Sequence, residues 1–226
     1  MDANAIDVWL TRTNVSAETL ARASGLLDDE ERQRAARFRF DADRARSIVS
    51  RAALRHLLGR HLSRDPRELQ FICGAHGKPA LANGELEFNV SHSGDWAAIA
   101  IASGSPVGVD VEHERSLHDL AALTTRYFAP PEAEAVLRDP SLFFPVWTAK
   151  ESVIKATGDG LSLGLASFEV SPSPRFTPVR HLDGWFVISL PAIGDGYHAA
   201  LCARGDHWSV SVRQFHPSER LLADQR

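Results

Sequence analysis

The residues of this chain best suited to chemistry are carboxylates. Asp110 and Glu112 lie in Val107-Gly108-Val109-Asp110-Val111-Glu112. In a strand, side chains alternate between faces, so Val107, Val109 and Val111 point one way and Asp110 and Glu112 the other, about 7 Å apart along the strand. Gly108, on the acidic side, leaves room there. Two carboxylates side by side repel unless a cation sits between them, and a hard divalent ion such as Mg²⁺ takes oxygen ligands from carboxylates and phosphates. A bare Asp-x-Glu is more often a strand end in solvent, balanced by His113 or Arg115. A third acid, Glu151, stands four residues before Lys155 in Trp147-Thr148-Ala149-Lys150-Glu151-Ser152-Val153-Ile154-Lys155, so the two share a helix face. On that helix Phe143, Trp147 and Ile154 form an apolar stripe with Glu151 at its edge. A purely solvated Glu–Lys pair would lie opposite Trp147, and a carboxylate at the edge of a core is costly without a partner. Glu151 therefore reads as a third metal ligand beside a phosphate-binding lysine.

Two shorter segments add donors. Asn89-Val90-Ser91-His92-Ser93 ends a strand at a turn and offers Ser91 and His92 to phosphate oxygens, although a lone His is more often structural. Gly77-Lys78-Pro79 puts a lysine in a loop. Lys78, Lys150 and Lys155 are the only lysines beside 22 arginines, and all three fall in these segments. An ammonium is a compact point charge and a guanidinium a wide fork, so these are candidates for positions where Arg does not serve. There is no P-loop, no GxGxxG and no His pair at zinc spacing.

The elements that must hold these residues follow from periodicity and turn residues. Helices are predicted over 17–27, over 42–62 with Ile48, Leu54, Leu57, Leu58 and Leu62 as its stripe, and over 143–157, stopped by Gly158-Asp159-Gly160. Asp28 or Asp29 is a helix cap with Glu30 and Glu31 in the first turn. The stretch 117–137 reads as mostly helical, interrupted at Pro130-Pro131. Strands are predicted over 85–90, 96–102, 107–112, 167–170, 185–190, 197–203 and 208–213. Trp96 to Ala102, then Gly104, then Val107 to Val109 is echoed by Tyr197 to Ala203, then Gly205, then Val210 to Val212. The echo suggests two halves of similar build meeting near Ser103 to Pro106.

The chain has 226 residues, 44% hydrophobic and 24% charged, which is ordinary for a globular protein with a core. No apolar run approaches the roughly 20 residues that cross a bilayer, and no signal peptide is expected. Two isolated cysteines, Cys73 and Cys202, fit a reducing compartment, so a cytoplasmic location is expected. The net charge of −4 hides ten arginines between Arg32 and Arg64. That run suits an anionic ligand, or a solvated helix face with Arg–acid pairs. Nucleic-acid binding is not expected, for want of aromatics interleaved with the arginines.

Taken in order, His76-Gly77-Lys78-Pro79, Phe88-Asn89-Val90-Ser91-His92-Ser93-Gly94, Val107 to Glu112, Arg126-Tyr127-Phe128 and Trp147 to Lys155 resemble the Sfp-type 4′-phosphopantetheinyl transferases, over about 28–203. The resemblance implies an α+β fold of two pseudo-symmetric halves, each a small, mainly antiparallel sheet with packed helices, divided as 1–106 and 107–226. It implies a monomer with the active site between the halves. Asp110, Glu112 and Glu151 would hold Mg²⁺ with the pyrophosphate of coenzyme A, contacted by Lys155, His92 and Ser91. Lys78, Arg46, Ser47 and Arg34 would hold the 3′-phosphate and adenosine end. Glu31 departs from the family, standing where a basic residue is often seen, so that Arg32 or Arg34 would substitute. The stretch 127–137 would receive an apo acyl or peptidyl carrier protein. The implied reaction is attack of a carrier serine on the β-phosphorus, with loss of 3′,5′-ADP. Glu151, directly or through a metal-bound water, is the candidate base and Lys155 the group offsetting charge on the leaving side. The rival readings are a Mg²⁺-dependent phosphohydrolase and an inactive relative that only binds carriers.

Overall fold

The computed structural model describes residues 4–74 and 76–221. In chain order the elements begin with β1 (Ala5–Arg12), α1 (Ala17–Gly25), α2 (Asp29–Ala36) and α3 (Asp41–Leu62). A small hairpin, β2 (Phe71–Cys73) and β3 (Pro79–Leu81), precedes β4 (Glu87–Ser93), β5 (Trp96–Ala102) and β6 (Val107–His113). Then come α4 (Leu120–Tyr127), α5 (Pro130–Arg138), α6 (Phe143–Thr157), β7 (Thr177–Pro178), β8 (Trp185–Ser189), β9 (Tyr197–Arg204), β10 (Ser209–Phe215) and α7 (Pro217–Arg220).

Two four-stranded sheets result, in the orders β10-β1-β5-β4 and β6-β9-β8-β7. All their pairings are antiparallel except β1 with β10. Strand alternation sorts the side chains into three cores. Ile99, Ile101 and Phe88 face Leu54, Leu57 and Leu58 of α3. Ala200, Cys202 and Val187 face Ala149 and Val153 of α6. The remaining faces meet each other: Ile6, Val8, Ala98, Ala100 and Ala102 of the first sheet pack on Val107, Val109, Val111, Leu201 and Ala203 of the second. The alanines of β5 are small enough to let the sheets approach closely. The α+β architecture in two halves is the one the resemblance implied.

The sequence echo corresponds to a structural repeat. β5 and β9 each lead through a left-handed glycine, Gly104 (φ 74°) or Gly205 (φ 78°), into a strand that crosses to the other sheet. The chain therefore crosses in both directions between the two sheets, the first time at 106/107. β10 lies in the C-terminal stretch yet completes the N-terminal sheet beside β1. Three expectations shift. β1 and the β2–β3 hairpin add to the predicted strands. β4 runs beyond the predicted 85–90 to Ser93, so its polar motif forms the end of the strand, up to the turn, as expected. The strand predicted over 167–170 is a single-turn helix followed by one bridge, Glu169 to Arg180, because the Val170 amide donates to the Glu132 carboxylate (2.7 Å) instead of to a neighbouring strand.

α2 starts as its sequence suggests. Asp28 accepts from the Glu31 amide (2.9 Å) while Glu31 accepts from the Asp28 amide (3.0 Å), a capping box that satisfies two donors at the helix start. No helix among the described residues is long and apolar enough to cross a membrane.

Candidate functional site

The site begins with a glycine. A side chain at Gly108 would place its Cβ 2.1 Å from the Ser152 carbonyl oxygen and 2.3 Å from the Ala156 amide nitrogen. The α6 backbone therefore rests directly on β6. That seat carries Glu151 and Lys155, which precede Ser152 and Ala156 by one position, over the acidic face of β6. Lys155 Nζ lies 2.6 Å from Asp110 Oδ1. Ser91 Oγ donates to the same oxygen (2.7 Å) and accepts from Lys155 Nζ (2.9 Å).

Asp110 is 3% exposed, and its second oxygen, Oδ2, is buried without a hydrogen-bond partner. Burial pushes the Asp110 carboxyl above the ordinary range, against the opposing pull of Lys155 and Ser91. Glu151 is half-buried and accepts no hydrogen bond from any described residue. It is pushed up as well, first by burial and then by the charge on Asp110, with Lys155 opposing and Glu112 adding. Glu112 is differently placed. Its Oε2 accepts from Ser93 Oγ (2.9 Å) and from the exposed Arg115 (2.9 Å), so the solvent balancing open to a bare Asp-x-Glu is present here at one of the two acids.

β4 performs two tasks through its alternation. On one face, Asn89 Oδ1, Ser91 Oγ and Ser93 Oγ accept from the amides of Val109 (2.9 Å), Val111 (3.3 Å) and His113 (3.1 Å). These are the β6 amides not used in the β9 ladder, and side chains satisfy them where a strand would otherwise have an open edge. The turn after β4 is fixed from both halves. Arg46 Nε donates to the Gly94 carbonyl (2.8 Å), and the Asp95 amide donates to the Tyr197 hydroxyl (3.0 Å). Gly94 (φ 55°) has no room for a side chain: its Cβ would lie 2.2 Å from that hydroxyl.

On the other face of β4, His92 borders a cleft of about 210 Å³. Arg34, Ser47, Ser50, Arg51 and Glu31 supply its polar wall, and Leu27, Leu54, Phe88 and Val90 its apolar one. The packing around His92 holds its imidazole below the ordinary value, with Arg46 and Lys155 adding to the effect.

The predicted residues thus divide. Asp110, Glu151, Lys155 and Ser91 converge, with Glu112 beside them. Arg34, Ser47 and His92 share the cleft. Arg46 is committed to Asp43 (2.8 Å) and Gly94. Lys78 does not line the cleft; it donates to the carbonyls of Val107 and Ala156 (both 3.1 Å), tying β6 to the end of α6. Arg32 is turned to Asp29 (2.6 Å) and the Leu27 carbonyl. Arg51, in the cleft wall, is missing from the predicted site residues, because nothing in its local spacing separates it from its nine neighbours of the same type. Much of the arginine run makes the helix-face pairs of the plainer reading: Arg32–Asp29, Arg34–Glu30, Arg44–Asp41 and Arg46–Asp43. One premise fails. Phe38 and Phe40, 38% and 62% exposed, do alternate with Arg37 and Arg39. Arg126-Tyr127-Phe128 anchors the end of α4 on α6, with Tyr127 edge-on to Trp147 (5.7 Å) and Phe128 against Phe143 (5.2 Å).

The donors suit a hard cation. All are carboxylate oxygens, one is buried and bare, and both Asp110 and Glu151 carry a burial cost that a neighbouring positive charge would lift. Among the described residues no ligand shell stands ready-made, since no three such side chains already converge at ligating distance. Lys155 provides the positive charge at Asp110 instead.

Comparison with known proteins gives a consistent answer. A family model described as "4′-phosphopantetheinyl transferase, N-terminal" matches residues 12–104, and one described as "4′-phosphopantetheinyl transferase superfamily" matches 106–202. Among similar proteins, the 4′-phosphopantetheinyl transferase HetI of Nostoc sp. is 32% identical over 90% of this chain and 89% of its own length. The corresponding figures for psf-1 of Bacillus pumilus are 32%, 77% and 78%. For Sfp of Bacillus subtilis they are 29%, 84% and 87%.

Proposed function

Since the chain belongs to the 4′-phosphopantetheinyl transferases of the Sfp type and is on that ground a transferase, we propose that it moves the 4′-phosphopantetheine group of coenzyme A to a serine of an apo acyl or peptidyl carrier protein, with Mg²⁺, releasing 3′,5′-ADP. The observation that carries this reading is the bare, buried Asp110 oxygen under Glu151 and Lys155, one strand away from a cleft with cationic and apolar walls.

The chemistry needs charge neutralisation and positioning more than a covalent intermediate. Asp110, Glu112 and Glu151 would hold Mg²⁺, whose contribution is to offset charge on phosphoryl oxygens. The cleft would take the nucleotide end, with Arg34, Ser47 and His92 as donors. Lys155 is held by Asp110 and Ser91 at the junction of the halves, where its ammonium would offset charge on the leaving phosphate oxygen. The carrier serine Oγ would bond to the β-phosphorus as the bond to the 3′,5′-ADP oxygen breaks. Its proton would pass to Glu151, directly or through a water. Residues 127–137, with Leu137 exposed, would face the carrier.

The test is incubation of purified protein with coenzyme A, Mg²⁺ and a panel of apo-carriers, read by intact mass. Gain of one phosphopantetheine, absent with EDTA, is the expected result. Release of 3′,5′-ADP from coenzyme A with no carrier present would instead identify a hydrolase.

A further inference from the structure

Of the guanidiniums bordering the cleft, two differ sharply. Arg34 is half-exposed and spends Nη2 on Glu30 (2.8 Å). Arg51 is 19% exposed and is fixed twice. Its Nε donates to Glu31 Oε1, and its Cζ lies 3.8 Å from the centroid of the Phe71 ring. Phe71 is in turn held edge-on by Phe88 of the cleft wall (5.7 Å). Glu31 cannot swing away, since its other oxygen accepts from the fully buried Arg55 (2.7 Å) and the Asp28 amide. Neither Nη1 nor Nη2 of Arg51 has a hydrogen-bond partner among the described residues. The side chain is thus pinned by its Nε edge and its flat face, with its two terminal nitrogens uncommitted at the wall of a cleft.

A planar fork held in place loses little entropy on binding and matches two oxygens of a phosphate. We propose that Arg51, positioned by Glu31 and Phe71, is the anion anchor of this cleft and makes it selective for a nucleotide that carries a terminal phosphomonoester. This rests on the cleft being the nucleotide site proposed above. It changes the meaning of Glu31. That acid does not remove a cation from the site; it aims one, from α3 instead of α2.

Calorimetric titration of the full chain with coenzyme A and with 3′-dephospho-coenzyme A separates this from the reading it rests on, because no transfer is needed. The wild type should bind coenzyme A about 10- to 100-fold more tightly than the dephospho form, the scale of a charged hydrogen-bond pair. Arg51→Ala should lose most of that ratio while binding dephospho-coenzyme A as before. Glu31 keeps Arg55 in that variant, and an unchanged melting temperature checks the fold. Arg51→Lys, charged but unforked, should fall between. Equal weakening of both ligands in Arg51→Ala, or no weakening of either, would overturn the assignment, as would a wild type indifferent to the phosphate. Failure to modify any carrier would sink the proposed reaction, while the ratio of the two affinities would still decide the role of Arg51.

Discussion

α6 carries two lysine–carboxylate pairs, at Lys150 and Lys155, and they are opposites. Lys150 is fully buried, and its ammonium meets Glu132 Oε2 (2.7 Å) and the carbonyls of Leu165 (2.9 Å) and Phe168 (2.7 Å). Glu132 is saturated as well, accepting from the amides of Ala129 (2.8 Å) and Val170 (2.7 Å). Every strong group in that cluster has its partners within the protein, and the cluster fixes the helix to the loop after it. Lys155 and Asp110 make an equally short contact, yet Asp110 Oδ2 is left bare and Glu151 beside it accepts no bond from any described residue. A short ion pair says little about role. What separates scaffold from site is unmet capacity in a buried group, which natural proteins seldom leave without a reason.

Two substitutions should therefore have opposite consequences. Asp110→Ala should lower transfer to carrier about 1,000-fold or more, the scale for losing a preorganised charge at a phosphoryl centre, while leaving the melting temperature within a few degrees. Lys150→Met should do the reverse. It strands Glu132 in the core, a loss of about 3–5 kcal/mol, while the molecules that remain folded keep near-normal turnover. Denaturant unfolding and carrier-modification rates on the same preparations check both. A stable, active Lys150→Met would break the distinction.

Both clusters depend on the seat of α6, and Gly108→Ala is the way to disturb it. The added methyl has only backbone to push against, so α6 must lift from β6. A loss of about 1–3 kcal/mol or more is expected from overpacking. Activity should fall beyond what that instability accounts for, because Glu151 and Lys155 move while Asp110 does not. Retained activity would show that the site tolerates a displaced helix.

Much of this was legible in sequence, for identifiable reasons. α6 spans the predicted 143–157 because a Phe/Trp/Ile stripe ends in glycines, and the β6 alternation placed Val107, Val109 and Val111 in the core as expected. The compact-charge argument for lysine also holds at each position. Lys78, Lys150 and Lys155 each meet at least two acceptors around one nitrogen, although only Lys155 does so beside an unmet carboxylate. What periodicity could not convey is pairing between distant elements. Asn89 and Ser93 look like turn formers but cap the open edge of β6, twenty residues on. Arg51 looks like every other arginine of its run, and its role depends on Phe71 and Glu31, twenty residues away on either side. β1 has a readable Ile6/Val8/Leu10 alternation, but its partner β10 lies at the far end of the chain, where no local pattern points back to it.

The smallest expected effect bears on the open cluster alone. Burial first, then the charges of Asp110 and Glu112, raises the folded-state pKa of Glu151 above its unfolded value, with Lys155 only partly opposing. A carboxyl raised in this way holds its proton more tightly folded than unfolded. Its contribution to stability is therefore greatest in acid, and declines as pH rises from the ordinary carboxylate range through the raised value. Glu151→Gln has no such decline. In EDTA the variant should melt above the parent at neutral pH, and the gap should close as pH falls below the ordinary carboxylate range. Adding Mg²⁺ should then raise the parent more than the variant, because an ion bound only by the folded state stabilises by mass action. A gap independent of pH would mean that Glu151 costs nothing by being charged. A parent indifferent to Mg²⁺ would mean that the bare oxygen at Asp110 and the unbonded Glu151 are not kept for a cation.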